Sequence, residues 1–242
     1  LEVILVRTQD IPKIVETGSA DLGVTGHDLV MESQADVEEL LDLDFGKAKM
    51  VVAAHESSSI EKIDDVKNGF KVATEFPKVT RKYFEDKGID IKINEVSGAT
   101  EITPFIGMAD LIVDISSTGT TLRTHGLEII DTLFETSVRL IANKESLKEK
   151  RKKIDDIKTA IGSVIQAKPS KLVMMNVPEE KISEIKELMP GMSGPTVSKV
   201  EGTDMLAVQA VVEADEIYEL VSKARKKGAQ DILVVPIERI LP

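Results

Sequence analysis

A short apolar run that leads into a hydroxyl-rich turn places the strongest restriction on how this chain folds. Leu111 to Val113 is brief and apolar, as is typical of a strand buried in a sheet, and Asp114 stands directly after it. The polar residues that follow are Ser116, Ser117, Thr118, Gly119, Thr120 and Thr121. The pattern predicts a buried strand, a tight polar turn and a helix, which is a unit of an α/β fold.

The composition of this turn suits an oxyanion. Glycine lets the backbone come close to a ligand, hydroxyl groups donate hydrogen bonds, and the N–H groups that open the next helix point towards the ligand. Asp114 is well placed to accept hydrogen bonds from sugar hydroxyls. The stretch is therefore predicted to bind a ribose 5-phosphate group. A helix cap in an ordinary polar turn is the alternative interpretation.

A second stretch, from Ala20 to Gly26, has the same arrangement. In both stretches Ala-Asp-Leu opens a strand, and a Thr-Gly turn follows it. We infer two α/β lobes of related build that direct their turns into a shared cleft, although the match is too short to indicate an internal repeat. A tight turn that needs glycine for its backbone alone is the alternative. His27, just after the second turn, has no evident partner in the sequence, and we assign it no catalytic role.

Composition and charge exclude several functional classes. A hydrophobic content of 42% and a charged content of 30% are ordinary for a soluble globular protein. The net charge of −11 and the aromatic content of 3% disfavour nucleic acid as a partner. No apolar run is long enough to span a bilayer, and the start shows no signal peptide. The absence of cysteine excludes disulfides and thiolate metal sites, and it fits a cytoplasmic location.

The pattern of predicted strands and helices changes in the last third of the chain. Strand patterns at 172–177, 196–200, 205–212 and 231–235 alternate with two helical patterns. The resulting order, βαββαβ, is that of a ferredoxin-like domain. Small domains of this build often bind amino-acid effectors or form subunit contacts, and the fold alone does not decide between these roles.

Three local patterns predict further elements. The apolar residues between Leu1 and Arg7 indicate a strand, and the polar turn from Ser97 to Glu101 is expected to lead into a helix that runs on to Met108. Ser146 and Glu149 have the spacing of a capping box at the start of another helix.

Asp114 and the turn from Ser117 to Thr121 resemble the phosphoribosyl-pyrophosphate loop of ATP phosphoribosyltransferase, the first enzyme of histidine biosynthesis. Other stretches resemble the same family: Arg7 with Asp10-Ile11-Pro12, Ala20 to Gly26, and Ser97 to Glu101. The resemblance covers nearly the whole chain and extends to the C-terminal domain of the long form of the family.

The resemblance implies a magnesium-dependent glycosyltransferase that joins N1 of the adenine of ATP to C1 of phosphoribosyl pyrophosphate and releases pyrophosphate. Asp114 and Glu101 would be the catalytic residues, although Glu101 is equally an ordinary acid in the first turn of a helix. The phosphoribosyl-pyrophosphate site would comprise Asp114, Ser117, Thr118, Gly119, Thr120 and Thr121. The ATP side would comprise Asp21, Gly23, Thr25 and Gly26. The resemblance does not identify ligands for Mg²⁺.

The resemblance also implies an α/β architecture with a two-lobed catalytic region like that of type II periplasmic binding proteins. Residues 1–49 and 137–167 would form lobe I, residues 50–136 lobe II, and residues 168–242 a ferredoxin-like (βαββαβ) regulatory domain. This domain would bind the inhibitor histidine through segments that include Met192 to Val197 and Gly228 to Leu233. The contact positions would be Asn176, Thr196, Val211 and Asp231. A homo-oligomer, from dimer to hexamer, is expected, with neither nucleic acid nor membrane as a partner.

One departure from the family pattern concerns the start of the chain. Members of the family begin with a strand and a basic Pro-Lys-Gly-Arg-type loop that helps to line the active site, and the sequence contains no such segment. We therefore expect that an N-terminal segment is missing from the sequence. This departure keeps an alternative function open, namely a non-catalytic two-lobed protein that binds a small molecule or senses an amino acid.

Overall fold

The computed structural model describes residues 1–189 and 194–241, which form two compact units, Leu1–Ile154 and Asp155–Pro242. The strands of the first unit are β1 (Leu22–Gly26), β2 (Val37–Asp42), β3 (Ala48–His55), β4 (Lys71–Thr74), β5 (Lys92–Glu95), β6 (Leu111–Ser116), β7 (Leu127–Thr136) and β8 (Val138–Asn143). Its helices are α1 (Ile11–Glu16), α2 (His27–Ser33), α3 (Pro77–Asp86), α4 (Thr120–Thr124) and α5 (Lys144–Glu149), and α6 (Arg151–Ala167) begins at its end. None of the helices in the described part of the chain is long and apolar enough to cross a membrane.

The first unit contains two sheets. The smaller sheet has the order β1-β8-β2, and both of its strand pairs are antiparallel. Val15 of α1, Val30 of α2 and Ile141 of β8 form its buried core. Pro12 takes a first-turn position of α1, where its missing N–H costs no hydrogen bond.

The larger sheet has the order β5-β4-β6-β3-β7. Strand β4 runs parallel to β5 and to β6, whereas β3 is antiparallel to β6 and to β7. The central strands carry uninterrupted apolar runs, such as Met50–Ala54 and Leu111–Val113, because both faces of the sheet are covered. Strand β6 therefore has a neighbour on each side up to Val113, and its end at Ser116 is paired with Lys49 of β3.

The chain crosses between the two sheets twice, at residues 43–47 and at Ser137. The two crossings are joined by backbone hydrogen bonds from Leu43 N to Val138 O (2.9 Å) and from Val138 N to Phe45 O (3.0 Å). Two sheets linked by two crossings are the two-lobed arrangement that the sequence predicts, and the predicted fold class is confirmed. The limits of the lobes and of the C-terminal domain stay a prediction.

The second unit contains β9 (Ser170–Pro178), α7 (Ile182–Leu188), β10 (Thr196–Lys199), β11 (Met205–Glu213), α8 (Ile217–Lys226) and β12 (Gln230–Pro236). Its elements follow the βαββαβ order that the sequence predicts, and its strands form an antiparallel sheet with the spatial order β10-β11-β9-β12. One face of the sheet carries the core, in which Val173, Met175 and Val208 meet Ile185 of α7 and Leu220 of α8.

Three local predictions were wrong. Residues 1–7 form no strand and are exposed, since no described strand pairs with their backbone groups. The helix expected up to Met108 is only a 3-10 turn, Thr100–Ile102, because Pro104 and Gly107 (φ +72°) interrupt it. Helix α5 begins before Ser146, because the side chain of Asn143 accepts hydrogen bonds from the N–H groups of Glu145 and Ser146 and so forms the cap in place of the predicted box.

Candidate functional site

The turn after β6 is folded by its own hydrogen bonds. The hydroxyl of Ser116 accepts a hydrogen bond from the N–H of Gly119 at 3.0 Å, and the hydroxyls of Thr118 and Thr120 lie 2.9 Å apart. Arg123, one turn along α4, donates from Nη2 to the carbonyl of Thr118 at 3.1 Å. These contacts hold the turn in one shape before any ligand arrives.

Gly119 is the residue that this shape requires. It is buried, and its φ of +71° lies in the left-handed region that favours glycine. A Cβ atom there would come within 2.9 Å of Nη1 of Arg123. The prediction that a glycine lets the backbone turn tightly at this point thus has a geometric basis.

The turn and Asp114 line one small cleft of about 150 Å³. Its walls are Glu101, Asp114, Ile115, Ser116, Ser117, Thr118, Gly119, Thr120, Thr121 and Leu122. The structure therefore brings together every residue that the sequence analysis assigned to catalysis and to the phosphoribosyl group. Five hydroxyl groups and two carboxylates in one cleft suit a ligand with both a phosphate and sugar hydroxyls.

Burial raises the pKa of the Asp114 carboxyl above its ordinary value, and the negative charges of Glu75 and Glu101 raise it further. The N–H of Ile115, which donates to Oδ1 at 2.7 Å, and the hydroxyl of Thr100 oppose this shift. A carboxylate with little water around it is a strong acceptor for the hydroxyls of a sugar.

Glu101 lies in the first turn of the 3-10 helix Thr100–Ile102 and also lines the cleft, so its catalytic role and its role as a first-turn acid both stay predictions. Ala99, two residues earlier, has a φ of +53°, which directs the turn towards the cleft. Nε2 of His125, just after α4, lies 4.0 Å from Oε1 of Glu101. Glu101 thus lies near the end of α4 as well as in the cleft lining.

Of the residues predicted to lie on the ATP side, Gly23, Thr25 and Gly26 belong to β1 and Asp21 directly precedes it, and none of the four lines this cleft. Oδ1 of Asp21 accepts hydrogen bonds from Oγ of Ser146 (2.6 Å) and Nζ of Lys150 (2.7 Å), and these contacts lower the pKa of the Asp21 carboxyl. A Cβ atom on Gly23 would lie 2.6 Å from Cγ2 of Ile11, so Gly23 allows α1 to pack closely on the strand.

The other two residues of the ATP side lie at the far end of β1, next to the crossing at Ser137. Thr25 is buried and donates from its hydroxyl to the carbonyl of Thr8 at 3.0 Å. Gly26 pairs with Val138, and a side chain there would collide with the carboxylate of Asp28. Only this end of the stretch is near a crossing between the sheets.

In the second unit, Asn176, Thr196 and Val211 alternate with core residues and so lie on the sheet face away from the helices. Nδ2 of Asn176 donates to Oδ2 of Asp231 at 2.9 Å. Asp231 has a φ of +49° at an irregularity in the pairing of β12 with β9. Asn176 pairs with Ala207 of β11. Ala207 and Val211 are four residues apart on that strand, which corresponds to roughly 13 Å. Met192 and Ser193 lie outside the described residues.

Several residues near the site were not found from the sequence. Arg123 closes the turn, and its spacing from Thr120 on α4 was an available signal. His27 has a partner after all, since its Nδ1 lies 2.8 Å from Oε1 of Glu39, which is distant in the chain.

A second cleft, of about 330 Å³, shares Ser117 with the first. Its lining residues are Asp42, Lys47, Ala48, Lys49, Ser117, Glu135, Thr136, Ser137 and Arg139. Among residues 1–189 and 194–241, no group of three or more His, Asp or Glu side chains could hold a metal ion.

Comparison with known proteins gives one consistent result. The sequence model of the family HisG, ATP phosphoribosyltransferase, matches residues 7–163, and that of the HisG C-terminal domain matches residues 167–239. ATP phosphoribosyltransferases from Methanocaldococcus jannaschii and Methanosarcina mazei are 56% and 53% identical, over all of this chain and 85% of each relative. The solved ATP phosphoribosyl transferase (HisG:HisZ) complex from Thermotoga maritima superposes with a TM-score of 0.61 at 32% identity, over 67% of this chain and 78% of that chain.

Proposed function

This chain belongs to the ATP phosphoribosyltransferase family, and we propose that the cleft at the end of β6 is where its reaction takes place. The lone pair of adenine N1 attacks C1 of phosphoribosyl pyrophosphate. The bond from C1 to the pyrophosphate oxygen breaks, pyrophosphate leaves with the electron pair, and C1 is inverted. The observation that supports this location is the presence of Asp114, Glu101 and the hydroxyl-rich turn in one cleft.

Each part of the cleft has a role in this proposal. The hydroxyls of Ser117, Thr118, Thr120 and Thr121 bind the 5′-phosphate, and Gly119 allows the backbone to come close to it. Asp114 accepts hydrogen bonds from the ribose hydroxyls and so fixes the position of C1. Because the turn is already folded by Ser116 and Arg123, little ordering remains to be done when the substrate binds.

The charge of the cleft fits the chemistry at C1. As pyrophosphate leaves, the ribose ring gains positive charge and takes on oxocarbenium character. Asp114 and Glu101 both line the cleft in which that positive charge develops, and the charge of Glu75 also acts on Asp114. Fixed charges of this kind stabilise a transition state most when water is excluded.

We propose Mg²⁺ as the metal of the reaction. Mg²⁺ in enzymes is usually held by substrate phosphates together with one or two carboxylates, and Asp114 and Glu101 provide two carboxylates at this cleft. When bound, the ion neutralises the charge of the pyrophosphate group. The end of the Asp21–Gly26 stretch that carries Thr25 and Gly26, beside Ser137, is proposed to face the ATP side.

We propose that the second unit binds histidine as a feedback inhibitor through Asn176, Thr196, Val211 and Asp231. The strained backbone of Asp231 and its hydrogen bond to Asn176 support this role. Because Asn176 and Val211 are far apart in one chain, a second copy of the chain contributes to the proposed histidine site. We accordingly propose a homo-oligomer, between dimer and hexamer, that works in the cytoplasm.

An ultraviolet assay with ATP, phosphoribosyl pyrophosphate and Mg²⁺, run with and without histidine, tests the proposal. We expect formation of phosphoribosyl-ATP and its suppression by histidine. Substrate binding without turnover would contradict the catalytic assignment and favour an amino-acid sensor. Turnover that histidine leaves unchanged would contradict the proposed role of the second unit.

A further inference from the structure

The second cleft of the first unit adjoins the phosphate turn. It has about twice the volume of the first cleft, about 330 Å³ against about 150 Å³, and Ser117 belongs to the walls of both. A substrate whose 5′-phosphate lies on the turn therefore has a neighbouring space into which a second phosphate-bearing group extends. The function proposed above requires such a group, since both of its substrates carry polyphosphates.

Lys49 lies beside the turn because of the sheet register. In the pairing of β3 with β6 it is directly opposite Ser116, the residue that holds the turn closed. Its Nζ lies 3.3 Å from Oε1 of Glu135, and the two side chains are 55% and 77% exposed. A solvated ion pair of this kind contributes little to stability, so Lys49 is available to an anion at little cost.

Two more cations line this cleft, and each of them has an acid as a partner. Lys47 and Arg139 bring the cationic side chains to three, against the two acids Asp42 and Glu135. Lys47 pairs with Asp44, and Nη1 of Arg139 lies 2.9 Å from Oδ2 of Asp42. Nε of Arg139 is buried and makes no hydrogen bond in the described part of the chain, but it lies 3.6 Å from Oε2 of Glu39. Lys47 and Arg139 are thus both engaged by acids, which leaves Lys49 as the lining cation that an anion can recruit.

Resting on the function proposed above, we propose that this second cleft is a polyphosphate subsite in which Lys49 is the principal cation. Its ligand is either the pyrophosphate group of phosphoribosyl pyrophosphate or the triphosphate of ATP, which share the same chemistry. Lys49 contributes charge-assisted hydrogen bonds to phosphate oxygens. Glu135 competes with the ligand for the ammonium group, so it limits the affinity of the subsite.

Binding of inorganic pyrophosphate, measured by titration calorimetry, tests the proposal without requiring turnover. Lys49→Met should weaken pyrophosphate binding roughly tenfold, the effect of losing one charge-assisted contact. Glu135→Gln should tighten it about two- to threefold, because the competing carboxylate is gone. Lys92→Met is the control, since it removes an exposed lysine from β5, at the far edge of the same sheet.

Steady-state kinetics identify the source of the polyphosphate. A rise in KM for phosphoribosyl pyrophosphate alone in Lys49→Met identifies its pyrophosphate group, and a rise for ATP alone identifies the triphosphate. If the unsubstituted protein does not bind pyrophosphate, or Lys49→Met binds it equally well, the subsite is refuted even if the enzyme turns over. If pyrophosphate binding depends on Lys49 but turnover is absent, the subsite stands and the proposed function fails.

Discussion

The hydroxyl of Ser116 and the N–H of Gly119 are joined by a hydrogen bond of 3.0 Å, which closes the turn at the end of β6. Its first partner, Ser116, belongs to a strand held on one side by β3 and on the other by β4. Its second partner has a conformation that favours glycine. The turn is consequently a rigid extension of the sheet, which is the property expected of a site that must position a reacting ribose.

Asp114→Asn tests the catalytic role of this half-buried acid. The amide keeps the size of the side chain and removes its charge, so we expect kcat/KM to fall about 100-fold. Asp86→Asn, on the exposed side of α3, makes the same chemical change away from the cleft and should leave kcat/KM unaltered. Equal turnover by Asp114→Asn and the unsubstituted protein would exclude Asp114 from the reaction.

The pH dependence of stability provides a separate test of the same residue. Because the folded protein raises the pKa of Asp114 above its ordinary value of 3.8, the folded state binds this proton more tightly than the unfolded state does. The contribution of Asp114 to the free energy of unfolding therefore falls as pH rises from about its ordinary pKa through its raised pKa. At neutral pH, Asp114→Asn should be more stable than the unsubstituted protein, on the order of 1 kcal/mol.

Urea unfolding measured at several pH values checks this expectation. The difference in free energy of unfolding between Asp114→Asn and the unsubstituted protein should vanish at acid pH, where the carboxyl is protonated in both states. A difference that does not change with pH would show that charge is not its cause.

Gly23→Ala tests the packing of α1 on β1. The new Cβ atom would lie 2.6 Å from Cγ2 of Ile11 and 2.8 Å from Cγ2 of Val15, so we expect a loss of about 1–3 kcal/mol of stability. Adding Ile11→Ala should recover part of that loss in a double-mutant cycle. An unchanged stability together with a higher KM for ATP would indicate a substrate contact instead of a packing role.

Asp231→Asn tests the histidine site. Asn tolerates the left-handed backbone of position 231 and still accepts the hydrogen bond from Asn176, so only the charge is lost. We expect the inhibition constant for histidine to rise roughly tenfold, the loss of one charged contact, with no change in turnover when histidine is absent. Asp204→Asn, at an exposed turn of the same unit, is the control. Unaltered inhibition in Asp231→Asn would contradict the assignment.

Features that depend on residues adjacent in the chain could be predicted from the sequence, whereas contacts between distant residues could not. Asp114 and the turn up to Thr121 were found because strand, glycine and hydroxyls are adjacent in the chain. The ferredoxin-like order was found for the same reason, since each strand and helix has its own pattern. Local predictions were wrong where two neighbouring residues could take the same structural role. Asn143, and not Ser146, caps α5.

Contacts that depend on sheet register could not be predicted from the sequence. Lys49 lies opposite Ser116 only because β3 pairs with β6, and nothing in either segment specifies that pairing. The partner of His27 is Glu39 on another strand of the smaller sheet, and Glu75 is close to Asp114 only through the pairing of β4 with β6. The second cleft consists entirely of such contacts, so it could be recognised only in the structure.

A matched pair of glycine substitutions tests most directly whether the turn after β6 binds the substrate. Gly119 and Gly107 have almost the same φ, +71° and +72°, so alanine strains the backbone to a similar extent at each. Only at Gly119 does a Cβ atom meet a neighbour, Arg123, and only Gly119 lines the cleft.

The measurement is the dissociation constant of phosphoribosyl pyrophosphate, with folding verified by thermal unfolding. We predict that Gly119→Ala weakens binding at least tenfold, whereas Gly107→Ala binds as the unsubstituted protein does. Equal affinity in the two variants would contradict the claim that this turn holds the 5′-phosphate.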